Sequence, residues 1–364
     1  MKILEAILPP YGGVRQHIKN IQNLSKYDIE VLPRNKFSYK CMIMSYADKK
    51  SPLSSNWVKN KKLEMKKLAD IIPDPVGKYV TNRYKLYDLI HFHGHPYWPE
   101  PYNFKRKNNS FIYSIHQIYQ KEDFKSNIRW QSRKELNEKM FNIAKKCDEV
   151  ISVSKWQQKI LNDIGIESIY IPNGVNSHIF QKGNQIKFKE KFGFDDFILF
   201  GGDLRFYKRP GLFIKLAESM PEKTFVMKGK NVTEPEIKKM GYNIPKNLKC
   251  LGYISFQDLL DAYDACQVFV LTSKNDTLPT SILEAMSAGK VVVGANSAGS
   301  KEIISDGKDG FLFAPDDLES LIQKTGKAYE NTKIGKNGKK KIKEKYDWKV
   351  VIKKIDQLYQ EVAG

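Results

Sequence analysis

Residues 267–313 contain the feature that most constrains the fold of this chain, an apolar run followed by a polar loop, a helical pattern and a second apolar run. The first run, Val268 to Leu271, predicts a buried strand. Pro279 precedes the helical pattern, Gly289 ends it, and Val291 to Val293 predicts the next strand. Crossovers of this kind join parallel strands, so we expect the loop to lie at the carboxyl edge of a parallel sheet.

This loop has the features of an anion-binding site. The first turn of the helix presents unpaired backbone N–H groups and a partial positive charge, and the hydroxyls of Thr280 and Ser281 add donors. Asp276 lies before the helix and Glu284 lies inside it. Because carboxylates repel phosphate, we expect these two to face the hydroxyl groups of a sugar and a ribose on either side of a diphosphate.

The same stretch resembles glycosyltransferase family 4, whose signature runs from a serine through an acidic residue to glutamate-alanine-methionine, a glycine and a valine strand. The matching residues are Ser273, Asp276, Glu284, Ala285, Met286, Gly289 and Val291 to Val293, followed by Gly299, Glu302, Asp306, Gly307 and Gly310. Asp276 stands where the family usually has glutamate, and Ala298 replaces a frequent glycine. The resemblance implies a nucleotide-sugar-dependent, retaining glycosyltransferase with the GT-B fold.

The alternation of apolar runs and helical patterns in the second half indicates a doubly wound parallel sheet. Strands are predicted near 197–201, 224–228, 248–251, 268–272, 291–294 and 311–313. With the resemblance, the chain is expected to be an α/β protein with two Rossmann-like doubly wound domains facing across a cleft. We assign 1–174 to an acceptor-side domain, 175–345 to a nucleotide-sugar-binding domain, and 346–364 to a helix that returns to the first domain.

Further site residues are predicted in the first half. Gly12 and Gly13 separate a predicted strand from a helix, so the backbone there can approach a ligand closely, although a tight turn without a ligand is the alternative. The resemblance implies that this pair faces the donor diphosphate and the acceptor. It also implies that His116, after the strand at 111–115, contacts the transferred sugar.

Three histidines near the end of one predicted strand raise the question of a metal site. His91, His93 and His95 alternate along the chain, so in an extended segment they would share one face, as metal ligands do. No acidic or cysteine partner is identifiable from the sequence. We therefore expect no metal, and no cofactor apart from the nucleoside-diphosphate sugar that serves as the donor.

The first strand–helix loop of the second half departs from the family pattern. Asp203 takes the position of the family arginine, whereas Lys208 matches the family lysine. In an extended backbone positions 203 and 205 share a face, so Arg205 could supply the guanidinium; two exposed charges are the alternative. The remaining predicted substrate-binding residues are Tyr253 and Ile254, in a loop similar to the one that meets the nucleobase, and Leu278.

These residues predict a transfer of a hexose from a nucleoside-diphosphate sugar to a hydroxyl acceptor, such as a glycan or a lipid-linked saccharide. We assign catalytic roles to His116, Arg205, Lys208 and Asp276. Two alternatives are a nucleotide-sugar epimerase of the same architecture and a catalytically weak subunit that binds glycans or membranes. The aspartates at 203 and 276 make the second alternative possible, because both depart from the family.

The composition adds expectations about partners and location. A net charge of +20 attracts nucleic acid, anionic lipid or phosphorylated substrates, but no recognised nucleic-acid motif accompanies it, so nucleic acid is not expected. Residues 57–72 predict an amphipathic helix, which either packs on the sheet as a crossover or presents its basic face to an anionic membrane surface. The 4 cysteines lack CxxC spacing, which is typical of a reducing compartment. We expect a cytoplasmic protein, with peripheral membrane contact as a further option.

Overall fold

The computed structural model describes residues 1–7, 12–32, 86–94, 109–229 and 231–363. Within these ranges the chain forms two six-stranded sheets, and helices connect their strands. None of the helices in these ranges is long and apolar enough to cross a bilayer. The amphipathic helix predicted over 57–72 and the side chain of His95 lie outside the described residues.

The first sheet is parallel throughout and has the order β2-β1-β3-β4-β5-β6. Its strands are β1 (Lys2–Ile7), β2 (Asp28–Leu32), β3 (Leu89–His93), β4 (Ser110–Ile115), β5 (Glu149–Ser152) and β6 (Ile169–Tyr170). The described helices between them are α1 (Gly12–Leu24), α2 (Asn127–Ala144) and α3 (Lys155–Asp163). The strand order reverses between β1 and β3, so the carboxyl ends of these strands border a crevice where ligands bind in such sheets.

The second sheet is also parallel and has the order β12-β11-β10-β7-β8-β9, in which the reversal falls between β7 and β10. Its strands are β7 (Phe197–Phe200), β8 (Thr224–Met227), β9 (Leu248–Cys250), β10 (Cys266–Leu271), β11 (Val291–Ala295) and β12 (Phe311–Phe313). Its helices are α4 (Gln185–Phe192), α5 (Pro210–Ser219), α6 (Glu234–Lys239), α7 (Phe256–Ala265), α8 (Thr280–Ser287), α9 (Ala298–Ile303), α10 (Leu318–Glu330) and α11 (Gly335–Lys345). The predicted doubly wound α/β architecture is confirmed.

The last helix, α12 (Trp348–Ala363), packs on the first sheet. Its apolar residues recur at helical spacing and are buried against Ile3 of β1 and Leu89 of β3. Asp356 accepts hydrogen bonds from the hydroxyl of Ser25 at 2.5 Å and from a backbone N–H that follows it. The last helix and the first strand therefore contribute to the same hydrophobic core.

The two halves also contact each other beside the carboxyl edges of their sheets. The side-chain amide of Asn275, in the loop after β10, donates to Asp123 at 2.9 Å. The backbone N–H of Lys155, at the start of α3, donates to Glu302 of α9 at 2.7 Å. Burial raises the pKa of Asp123, and the Asn275 amide opposes that shift. The crevices of the two sheets therefore face a common cleft.

Candidate functional site

The two loops at the reversal of the second sheet lie against each other. Residues 272–279 lead from β10 into α8, and the residue before α8 is Pro279, which provides no side-chain hydrogen bond to the helix start among the described residues. The N–H of Ile282 donates to the carbonyl oxygen of Pro279 at 3.1 Å, whereas those of Thr280 and Ser281 remain available to an anion. The hydroxyl of Ser281 lies 3.4 Å from the carbonyl oxygen of Gly201, in the loop after β7. The predicted anion site is an uncapped helix start placed at a topological switch point.

Lys208 and Asp276 form an ion pair between these loops. The Nζ atom of Lys208 lies 2.6 Å from Oδ2 of Asp276, and the two side chains are only 12% and 15% exposed. The hydroxyl of Thr272 donates to the backbone carbonyls of Lys208 at 2.7 Å and of Arg209 at 3.0 Å. These bonds hold the first loop against the end of β10, so two of the four predicted catalytic residues meet at the switch point.

Two buried hydroxyls of the second loop lack a hydrogen-bond partner among the described residues, Oγ of Ser273 and Oγ1 of Thr277. The two residues are 1% and 4% exposed. A buried polar group without a partner costs about 1–3 kcal/mol, so such groups are rare unless water or a ligand satisfies them. Thr277 was not among the predicted site residues, although it lies inside the matched signature.

Gly299 fixes the path of the second loop. Its N–H donates to the carbonyl oxygen of Asp276 at 3.0 Å, and a Cβ at this position would lie 2.3 Å from the carbonyl oxygen of Thr277. The atoms in the way belong to the backbone of Thr277 and Leu278, which cannot move aside as the end of a flexible side chain can. The close approach between α9 and the loop therefore requires glycine at this position.

We expect Gly299→Ala to displace this loop and to weaken nucleotide binding by about tenfold, which corresponds to a loss of roughly 1.4 kcal/mol of binding free energy. Gly326→Ala is the control, because a Cβ at that helical position meets open space and alanine favours helix. The measurement is the nucleotide-induced shift in Tm. Equal shifts in both variants would contradict the role of Gly299.

Glu284 lies on α8 among groups that control its charge. Its Oε2 atom accepts a hydrogen bond of 2.8 Å from the hydroxyl of Tyr263. Burial raises the pKa of Glu284, and Lys228, Tyr263 and Lys208 oppose the shift. Burial has the opposite effect on a lysine: it lowers the pKa of Lys228, and the nearby Glu284 carboxylate opposes that shift. Lys228 directly follows β8, a position at which sites collect in such sheets, whereas Tyr263 lies within α7 and gave no sequence signal.

Arg205, predicted to supply the guanidinium of the missing family arginine, pairs with Asp203, which occupies the position of that arginine. Its Nη2 lies 2.7 Å from Oδ2 of Asp203, and its Nε donates to both carboxylate oxygens at 2.9 and 2.8 Å. The side chains of positions 203 and 205 lie on the same side of the backbone, as the sequence predicted. Asp203 neutralises the Arg205 guanidinium, which would have to leave this partner to contact a diphosphate.

The residues predicted around the nucleobase differ in exposure. Tyr253 is 79% exposed, and Ile254 beside it is half-buried. Leu278 is buried, and its carbonyl oxygen lies 3.4 Å from the side-chain amide of Asn173 in the first half. Tyr253 thus leaves a ring surface open at the rim of the second sheet, whereas Leu278 links the second loop to the segment joining the halves.

In the first half, His116 is half-buried just beyond β4. Its Nε2 lies 3.0 Å from Nδ1 of His93, and its ring also forms a hydrogen bond with Asn173. The other nitrogen of His93 bonds the carboxylate of Glu5, and Nδ1 of His91 lies 3.2 Å from the same carboxylate. Burial would raise the pKa of Glu5, but the two histidines hold it well below its usual value.

His91 and His93 share one buried face of β3, as their alternation predicted. The acidic partner that was not identified is Glu5, which pairs with them across the sheet from β1. Its sequence signal was a lone carboxylate within an apolar strand. Gly12 begins α1 and Gly13 follows it, but residues 8–11 before them lie outside the described ranges.

Solved structures with this architecture define its fold class. HepE from Anabaena, solved with UDP and with UDP-glucose, has a TM-score of 0.71 and 18% identity over 99% of this chain and 100% of that chain. Sucrose-phosphate synthase from Thermosynechococcus elongatus has a TM-score of 0.75 and 16% identity over 99% and 98%. The fold is of the GT-B class, as predicted.

Family models and relatives then identify the chain. The model described as Glycosyltransferase Family 4 matches residues 78–178, and the model described as Glycosyl transferases group 1 matches 181–352. The chain belongs to glycosyltransferase family 4. An uncharacterized glycosyltransferase of Methanocaldococcus jannaschii is 26% identical over 66% of this chain and 65% of its own length. Alpha-galactosylglucosyldiacylglycerol synthase of Streptococcus pneumoniae is 28% identical over 55% and 58%. The chain spans less than two thirds of either relative.

Proposed function

We propose that this protein is a retaining glycosyltransferase that moves a hexose from a nucleoside-diphosphate sugar to a hydroxyl of a glycan or lipid-linked acceptor. The observation that carries the proposal is the Lys208–Asp276 ion pair beside the uncapped start of α8. The UDP and UDP-glucose bound by HepE support a nucleotide-sugar donor. The lipid named for the pneumococcal relative supports a lipid-linked acceptor, and the net charge of +20 suits an anionic one.

In this reaction the bond between the sugar C1 and the diphosphate oxygen breaks, and its electron pair goes to the leaving diphosphate. The acceptor oxygen bonds to C1 on the same face, and its proton passes to an oxygen of the diphosphate. Lys208 and the first-turn N–H groups of α8 would stabilise the charge that develops on the leaving group. One preorganised donor of this kind is worth ~2.7–4 kcal/mol, and in this proposal such donors take the place of a metal in this step.

The other residues orient the donor. Glu284 would accept hydrogen bonds from ribose hydroxyls, while Asp276 and His116 would hold the hexose. The ion pair keeps Lys208 extended toward the site before the donor arrives, and the diphosphate then takes over part of its charge. The unpartnered hydroxyl of Thr277, in the same loop as Asp276, would supply a further donor.

We expect a panel of UDP-, GDP- and ADP-sugars to contain one nucleotide that raises Tm, because a ligand at 100 times its Kd stabilises the native state by about 2.7 kcal/mol. The selected donor is then incubated with candidate acceptors in excess chelator, and the anomeric configuration of the product is read by NMR. Transfer with retention is the expected result. An epimer formed from the donor alone, or transfer restored only by added metal, would contradict this proposal.

A further inference from the structure

Three histidines at the cleft edge of the first half form what we call the imidazole cluster: His17, His93 and His116. They come from α1, from the end of β3 and from the residue after β4. One ring nitrogen of each lies within 4.8 Å of the others. Imidazole nitrogens from three separate elements therefore lie close to one another.

His17 is the member whose environment is unexplained. Its Nδ1 is buried and has no hydrogen-bond partner among the described residues, and the residue is 8% exposed. Its ring lies 4.9 Å from that of His116 and 4.8 Å from that of Trp348, measured between centroids. A buried nitrogen without a partner carries a desolvation cost of about 1–3 kcal/mol, which a ligand bound to that nitrogen would remove.

The facing nitrogens have nearly the spacing that a metal ion requires. Nδ1 of His93 and Nε2 of His116 are 3.0 Å apart. Zinc–nitrogen bonds of about 2.0–2.1 Å in tetrahedral geometry place two ligand nitrogens roughly 3.3 Å apart. A ring movement of a few tenths of an ångström would therefore exchange the hydrogen bond between the imidazoles for two bonds to an ion.

The groups behind the cluster match those that support metal-binding histidines. The second nitrogen of His93 bonds the buried carboxylate of Glu5, which also accepts from the hydroxyl of Tyr359. Metal-ligating histidines commonly donate their other N–H to a carboxylate in this way.

We propose that the imidazole cluster binds a divalent transition-metal ion of the Zn²⁺ class through His17, His93 and His116, with water in the fourth position. Imidazole ligands favour Zn²⁺, Cu²⁺ and Ni²⁺ over Mg²⁺. The ion would tie α1 to β3 and β4, and it takes no part in departure of the diphosphate. Binding through the nitrogen of His116 that faces His93 would leave the hydrogen bonds of the other ring nitrogen undisturbed.

Co²⁺ is the probe, because tetrahedral Co²⁺ absorbs visible light far more strongly than the aqueous ion. We expect the metal-stripped full chain to bind one Co²⁺ with this absorption, to lose it on addition of one equivalent of Zn²⁺, and to gain thermal stability. His17→Phe keeps a ring against Trp348 but removes a ligand, so its Co²⁺ affinity should fall at least 10- to 100-fold. His178→Gln changes an exposed histidine and should leave binding unchanged.

Circular dichroism checks that each variant is folded, and His17→Gln replaces His17→Phe if the larger ring disrupts packing. Folded wild-type protein that binds no Co²⁺, or a folded His17 variant that binds it as tightly as the wild type, would overturn the proposal. Displacement of Co²⁺ by Mg²⁺ would also overturn it. The absorption is read without sugar donor, so failure of the metal site and failure of glycosyl transfer are separate results.

Discussion

Lys208→Ala is expected to lower kcat for glycosyl transfer by about 10²- to 10³-fold, which corresponds to the loss of one preorganised donor to the leaving group. The geometric reason is the position of the Lys208 ammonium, which lies 2.6 Å from Asp276 and also opposes the rise that burial causes in the pKa of Glu284. The measurement is kcat at saturating donor, with donor Kd determined separately. Loss in kcat, rather than in Kd alone, identifies an interaction made in the transition state.

The variant also breaks an ion pair, so its control must do the same elsewhere. Lys341 lies 2.5 Å from Asp309, and the two side chains are 18% and 7% exposed, close to the values of the Lys208–Asp276 pair. Lys341→Ala should therefore cost similar thermal stability but leave kcat unchanged. Lys208→Ala protein that retains more than a tenth of wild-type kcat would exclude Lys208 from the chemical step.

Much of the second half was predictable because its strands are buried on both faces. A parallel strand covered by helices on both sides reads as a continuous apolar run, and β10 from Val268 to Leu271 is fully buried. The end of α8 was equally clear, since Gly289 has a φ of 78°, which favours glycine. Local sequence patterns were therefore sufficient to predict where the site loops of this half lie.

The first half could not be predicted in the same way, because its key contacts join residues far apart in sequence. His93 and Glu5 are separated by 88 positions, and Tyr359 bonds the same carboxylate from the last helix. A single sequence shows Glu5 as an interruption of an apolar strand and gives no partner. Arg205 illustrates the limit at short range, because periodicity placed it beside Asp203 but could not show that the two side chains pair.

Glu284→Gln is expected to weaken binding of the donor nucleotide by about 10- to 150-fold, because each charge-assisted hydrogen bond contributes roughly 1.5–3 kcal/mol. The amide has the same shape as the carboxylate but lacks its charge. Glu319→Gln, on the exposed face of α10, makes the same chemical change away from the cleft and should have no effect. Isothermal titration with the nucleoside diphosphate gives both Kd values.

The partner of Glu284 can be tested with a nucleotide that lacks a ribose hydroxyl. If the carboxylate binds the ribose, the deoxy analogue should bind wild-type protein more weakly, and Glu284→Gln should reduce that difference; strictly additive losses would assign Glu284 elsewhere. The pH dependence gives a second test. Binding needs the ionised carboxylate, and burial raises the pKa of Glu284, so affinity should fall with decreasing pH sooner than for an exposed glutamate. This loss of affinity at low pH should be absent in Glu284→Gln, because the amide does not become protonated in this range.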